Sequence, residues 1–402
     1  MNVRFRPAGC VSTTRCSACN KMNLLIKPRF VALDSSHLGD IARDHASIDS
    51  DRRRAARDFQ RAFDAGNNVL LLCWHHIQEL LSHQDERVIV ERIAYLKSLP
   101  FVASIRSARE DDIIGGIIDV LSIEVRAAFS TPAMDAAEIR RAVAPGLLRV
   151  GRGVEIIRAF LEVWPLLKSE LTQRQERDRE IVAISRSGFA EVSHLKVVDL
   201  LRGKLRPPEE ILQRLGGMHD ALSQDIKTRG DRRLSNAEGV SATFLEAVRR
   251  FGMDTLSHKN PGLQILEANG IDVSDIDENT TVGDVGTLAV FRAKLRVINQ
   301  ITRLPWGELK ATVPARRLPS QIIQSSVDRF RPDGKEWKGS DLNDTHLSCL
   351  AAYADVTYVD KRTHEAFRMA RDKIPGFTAL VHRVEKAGHY SKIREQLIEP
   401  EI

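Results

Sequence analysis

The sequence predicts an α/β fold, with a central, mostly parallel sheet interrupted by a long, mostly helical insertion. Three observations predict it. Short apolar runs alternate with helical periodicity near both ends of the 402-residue chain. Over roughly 200 residues between them, only helical periodicity remains. The runs at the two ends finish close to aspartates, where open α/β sheets present side chains to a ligand crevice.

Residues 1–28 carry little periodicity and read as an N-terminal tail. Residues 30–33 read as a first strand ending at Asp34, with Ser35 or Ser36 placed to cap the helix that follows. Residues 51–65 alternate basic and apolar side chains at helical spacing until Gly66-Asn67-Asn68 stops them. A second buried strand spans 69–73, and 74–82 reads as a helix carrying Glu79. Val88, Ile89, Ile93 and Leu96 give 85–99 a helical rhythm that ends at Pro100, and 101–105 reads as a third strand. Residues 29–106 are therefore the first half of an α/β domain.

From 107 to 318 the pattern is helical. Ile114, Ile117, Ile118, Leu121, Val125 and Phe129 share one helical face. Val154, Ile157, Leu161 and Trp164 share another, with Pro165 as a kink or an end. Further helical patterns cover 195–201, 208–222, 242–251 and 288–301, punctuated by Pro207-Pro208, Asn260-Pro261-Gly262 and Pro314. Alternation returns over 319–402. Helices are expected at 319–327, 344–354 and 364–373, a strand rich in β-branched residues at 355–359, and a last strand at 377–384. The two halves are expected to reunite in space as one domain.

An apolar content of 43% with 28% charged residues supports real cores. No apolar run approaches the roughly 18–20 residues of a membrane span, and no signal-like segment opens the chain, so a cytoplasmic protein without a membrane partner is expected. The five cysteines are an odd number, which argues against a disulfide framework. Cys73 and Cys349 lie in apolar runs and read as buried thiols. Cys16 and Cys19, with Cys10 upstream, have the spacing of half a zinc site, but no second pair follows.

The net charge of +6 is unevenly placed. Residues 291–340 hold eleven Lys or Arg against four acids, a surplus of +7. This stretch leads into Asp341 and Asp344, and Asp360 follows the next apolar run. Cations beside a carboxylate cluster suit a polyanionic substrate, whose phosphates carboxylates alone would repel. Phosphodiester hydrolysis needs an activated water and a counter-charge for developing negative oxygens. Carboxylates gathered without Lys or Arg raise one another's pKa, a cost that Mg²⁺ or Mn²⁺ relieves. These features mark a candidate metal-dependent phosphodiesterase.

The arrangement resembles the PIN-domain family of ribonucleases. Val31-Ala32-Leu33-Asp34-Ser35 looks like that family's opening strand motif, and His76-Ile77-Gln78-Glu79-Leu80 like its helical Glu motif. Asp344-Thr345-His346-Leu347-Ser348-Cys349-Leu350-Ala351 looks like its third motif, and Val356-Thr357-Tyr358-Val359-Asp360-Lys361 like its fourth. The resemblance covers 29–106 and 319–402. It implies a three-layer PIN-like domain, an acidic quartet of Asp34, Glu79, Asp344 and Asp360, and bound Mg²⁺ or Mn²⁺. It further implies action on single-stranded RNA or other single-stranded nucleic acid, as in RNA processing, toxins or defence. Asp341 is the reserve for Asp344. Leu347, Ala351 and Ala354 follow Asp344 at helical spacing, which places Asp341 in a cap or loop. Ser35, Arg316, Arg317 and Lys361 are the expected substrate contacts. Tyr358 stands where family members carry Ser or Thr, with Thr357 one residue further back. The 107–318 module would position substrate or bind a protein partner. A non-catalytic PIN-like binding module is the competing expectation. A phosphatase-like use of Asp34 as nucleophile is disfavoured, because Ser36 stands where such enzymes carry a second acid.

Overall fold

The apolar runs become strands whose side chains divide between the two faces of one sheet. In a computed structural model, which describes residues 27–110, 112–161, 163–185, 193–202, 208–256, 261–332 and 338–398, the strands are β1 (Arg29–Leu33), β2 (Asn68–Leu72), β3 (Val102–Ile105), β4 (Leu148–Gly151), β5 (Val356–Val359) and β6 (Arg383–Lys386). They lie in the order β4-β3-β2-β1-β5-β6. All neighbours are parallel except β3 and β4, which run antiparallel with Val102 opposite Gly151.

Along β1, Val31 and Leu33 enter one core and Ala32 the other; along β2, Leu70 and Leu72 oppose Leu71 in the same way. Val356 and Tyr358 of β5 join the first core and Val359 the second. Both faces of the sheet are therefore covered, as a parallel sheet requires.

The first core is closed by α1 (Ser35–Ala46), α2 (Ser50–Ala65), α3 (Trp74–Leu81) and α4 (Glu86–Ser98). The second is closed first by α5 (Ile117–Ser130) and α6 (Ala136–Leu147). The short α7 (Gly153–Ile156) and α8 (Arg158–Leu161) return the chain to the first core and lead into α9 (Trp164–Ser185). Next come α10 (Val197–Arg202), α11 (Pro208–Arg229), α12 (Ala237–Leu256) and α13 (Pro261–Ala268); Ala183, Leu222, Ile226, Ala237 and Val240 make a small satellite core among them. The chain rejoins the second core through α14 (Val282–Thr302), α15 (Trp306–Thr312), α16 (Pro319–Phe330), α17 (Ser340–Ser348) and α18 (Lys361–Lys373); α19 (Tyr390–Ile398) closes the first.

The crossover from β1 to β2 uses α1 and α2 on one face, and that from β5 to β6 uses α18 on the other. The strand order thus turns in opposite directions from β1 and β5, and their carboxyl ends flank a topological switch point.

Several expectations change. Residues 107–318 are mostly helical, but they also return to the sheet: β4 extends it, and α5 and α6 pack on it. A four-residue strand, Leu-Arg-Val-Gly, is too short to display a period of two. The helix expected at 344–354 begins earlier, at Ser340, and after Ser348 tightens into a 3₁₀ turn over Cys349–Ala352. The last strand comes later than 377–384. Gly376, at φ +77°, turns the chain into a 3₁₀ segment over Phe377–Ala379, so Phe377 and Leu380 fill the core from a turn and not from a strand. Asn67 supplies the left-handed residue, φ 53°, between α2 and β2. Cys73 and Cys349 are buried free thiols; Cys10, Cys16 and Cys19 lie outside the described residues. No helix among the described residues is long and apolar enough to cross a membrane.

Candidate active site

Two aspartates leave adjacent parallel strands at the switch point. Leu33 pairs with Tyr358, and the Asp34 amide donates to the Tyr358 carbonyl at 3.0 Å, so Asp34 and Asp360 follow the same end of neighbouring strands. Each also caps the helix it starts. Asp34, rather than Ser35 or Ser36, caps α1, its Oδ1 accepting from the Ser36 amide at 2.8 Å. Asp360 Oδ1 accepts from the Thr363 amide at 2.6 Å at the start of α18. One oxygen of each carboxylate is thereby held, and helix N-termini favour the charge.

Glu79 reaches the site from α3, whose first turn is pinned by His76. Cys73 N–H donates to His76 Nδ1 at 3.1 Å, so the proton sits on Nε2, 2.8 Å from the Leu33 carbonyl just before Asp34. Burial pulls the His76 pKa down to about 4, which keeps this tautomer neutral. The Glu79 carboxylate receives Asn343 Nδ2 of α17 at 3.2 Å. Ser35 Oγ is buried beside it but outside hydrogen-bonding geometry. Burial, then the nearby Asp34 charge, raises the Glu79 pKa against those polar neighbours.

Asp344 is one turn into α17. Its pKa is raised well above the carboxylate range, first by burial, then by Asp34, with Glu79 and Asp360 adding to it and Arg331 opposing it. Asp34 and Asp344 line one cavity of about 10 Å³ with His76, Thr357 and Thr363, room for about one water. Thr357 Oγ1 is buried without a partner there. Because side chains alternate along β5, Thr357 faces this cavity side while Tyr358 fills the first core, and Thr363 of α18 lines the same cavity.

The remaining expected residues are placed differently. Asp341 is inside the first turn of α17, not in a loop or cap, and is paired with Arg362 at 2.8 Å and Arg331 at 3.6 Å. Two cations neutralise it, so it anchors the helix that carries Asp344. Lys361 is exposed beside Asp360. Arg316 and Arg317 precede α16, whose far end, near Arg331, reaches the site; a 12-residue helix spans about 18 Å. Arg317 donates to the carbonyls of Thr312 at 2.7 Å, Thr131 at 2.8 Å and Met134 at 3.1 Å, which clamps α5 and α6.

Two more cations of the basic stretch are taken up in the same manner: Arg292 holds the Lys310 carbonyl at 2.9 Å, and Arg331 that of Asp341 at 2.7 Å. Besides Arg92 of α4, whose charge opposes the rise in the Glu79 pKa, the arginines beside Glu79 come from the helical segment. Arg179 of α9 and Arg233 line a small cavity with Glu79 and Asn343, and both engage the buried Asp231, at 3.7 and 2.7 Å. No local sequence signal marks them, because only the packing of α9 on α3 and α17 brings them there.

Arg317→Ala is therefore expected to lower stability by about 1–3 kcal/mol, the cost of hydrogen bonds lost from helix-terminal carbonyls, and to leave any nuclease rate of the folded protein unchanged. Urea denaturation read beside a cleavage assay checks this. A lost rate at unchanged stability would return Arg317 to the site.

The hard oxygen donors gathered here suit Mg²⁺ or Mn²⁺ in kind. Their placement is looser than a closed cage: among the described residues, no three His, Cys, Asp or Glu side chains are positioned to share one ion. Such a placement leaves at most one or two carboxylates for any one ion, a number that Mg²⁺ commonly accepts. Comparison of the chain with known protein families, with curated proteins and with solved structures finds no match in any of the three.

Proposed function

We propose that this chain is a divalent-metal-dependent nuclease that hydrolyses phosphodiester bonds of single-stranded RNA, built on a PIN-like domain. The observation that carries the reading is the cavity at the switch point lined by both Asp34 and Asp344, with Glu79 and Asp360 electrostatically coupled to Asp344. Two largely buried acids, Glu79 and Asp344, have raised pKa values and no ion pair among the described residues, a cost that a bound cation would relieve. Asp34 and Asp344 would hold Mg²⁺ or Mn²⁺ together with water, with Glu79 and Asp360 at its edge; when bound, the ion supplies an activated water and charge for the phosphate oxygens. Thr357 and Thr363 offer hydroxyls for orienting that water. Arg179 and Arg233, both paired with Asp231, line the cavity beside Glu79 where a strand's phosphates would pass.

A second reading is a non-catalytic PIN-like module that binds nucleic acid or protein. Two observations favour it: Asp34 and Asp360 are each engaged as helix caps, and no three ligands converge among the described residues.

Purified protein, a labelled single-stranded RNA and added Mn²⁺ or Mg²⁺ separate the two. Cleavage is expected to need the metal and to disappear in Asp34→Asn/Asp360→Asn, with RNA binding retained. If neither RNA nor single-stranded DNA is cut with either metal, or if the double variant cuts like the wild type, the nuclease reading falls.

A further inference from the structure

A second cleft, of about 530 Å³, lies between the helical segment and the α/β unit, walled by α9, α14, α16 and α17. It shares α17 with the acidic site: Asn343 and Asp344 point to the acids, while Leu342, Thr345 and His346 line the cleft. Its volume falls within the roughly 300–1,000 Å³ of small-molecule sites.

The polar lining is rich in donors. Lys294 Nζ donates to Gln321 Oε1 at 2.8 Å and Gln324 Oε1 at 2.7 Å, and it forms no ion pair among the described residues. Burial lowers its pKa, against the Asp328 carboxylate across the cleft, which favours the charged form without pairing with it. Gln324 is only 4% exposed, and its Nε2 has no partner. His346 stacks on His75 with ring centroids 4.6 Å apart, and its Nδ1 is also buried and unpartnered. The carboxylates of Asp328 and Asp341 line the rim, the latter already held by Arg331 and Arg362. Val182, Val290 and Leu342 supply an apolar wall.

A buried ammonium held directly only by two amide oxygens, beside a buried amide donor without an acceptor, is costly unless something completes it. We infer that this cleft binds a phosphate-bearing ligand of about mononucleotide size, with phosphate on Lys294 and Gln324 and a flat apolar portion against Val182 and Leu342. The inference does not depend on the nuclease reading, because none of these residues is an acid of the first site.

Two sources share this chemistry, a free nucleotide and a phosphate of a bound strand. Calorimetric titration of the full chain with adenosine monophosphate, adenosine and inorganic phosphate tests the site. The monophosphate is expected to bind at least about tenfold more tightly than adenosine, and Lys294→Met to lose that margin, the worth of one charge-assisted contact. Lys294→Met should keep the fold, since it replaces a buried ammonium by an apolar side chain of similar length. Gln324→Leu, with Lys294 intact, is expected to weaken phosphate binding as well. Asp34→Asn/Asp360→Asn should bind the monophosphate unchanged. Displacement of the monophosphate by a single-stranded oligoribonucleotide, with the same Lys294 dependence, assigns the phosphate to a strand; failure to displace it assigns a free nucleotide. Equal binding of adenosine and its monophosphate, or undiminished binding by Lys294→Met, overturns the proposal.

Discussion

Replacing Glu124 by alanine is expected to lower stability by about 3–5 kcal/mol at pH 5, and by much less at pH 8. Glu124 lies in α5, fully buried, and accepts hydrogen bonds from Tyr353 Oη at 2.6 Å, Ser320 Oγ at 2.6 Å and the Ser320 amide at 3.2 Å. Its partners are 196 and 229 residues further along the chain. One carboxyl group therefore bolts α16 and the turn before β5 to the first half of the fold.

Burial, which outweighs these donors, pushes its pKa up from 4.5 to about 7. A raised folded-state value means that the stabilisation is complete below about pH 4.5 and is lost as pH rises through 7. The difference corresponds to about 3 kcal/mol of wild-type stability lost across that window. Alanine cannot titrate, so the gap between variant and wild type should narrow by about that amount between pH 5 and pH 8. Urea midpoints at the two pH values measure it, and a pH-independent gap would show that Glu124 is ionised throughout.

Asp344→Asn is expected to act in opposite directions on stability and on activity. The raised pKa of Asp344 means that its contribution is complete below the ordinary carboxylate range and is lost as pH rises through the folded value. At neutral pH, without metal, the asparagine variant should therefore melt at a higher temperature than the wild type, a difference that vanishes in acid. Added Mn²⁺ should raise the wild-type melting temperature through linkage and leave the variant nearly unmoved. Nuclease activity should fall by at least about a hundredfold, more than the usual cost of disturbing a ligand's support. Thermal melts with and without Mn²⁺ at pH 5 and pH 8 decide the first part. A variant stabilised by metal as much as the wild type would remove Asp344 from the ion site.

The α/β class and the mostly parallel sheet were legible because buried strands such as Val31-Ala32-Leu33 and Val356-Thr357-Tyr358-Val359 are continuous apolar or β-branched runs. Asp34 and Asp360 stand directly after such runs, so their common edge followed once the two halves were joined. β4 was not legible, since four residues ending in glycine show no period. The start of α17 was misplaced because Ser340 and Asp341 look like a cap, while the fold holds Asp341 inside the helix with Arg331 and Arg362. The supporting polar groups had no local signature at all. Asn343, Thr357 and Arg179 take their meaning from what packs opposite them. Charge counting did not reveal the clamp made by Arg317, because a cation's neighbours in sequence say nothing about which carbonyls it will meet.

The order of the strands also imposes an order in time. β1 sits between β2 and β5, yet β5 is synthesised roughly 200 residues after β4, which at about 5–20 residues per second is a delay of some 10–40 s. Through that interval β2, β3 and β4 can pair while the far side of β1 stays an open template for any passing strand. The edge left open is the one that ends in Asp34. The nascent chain carries half of its acidic site on its most adhesive border until β5 arrives.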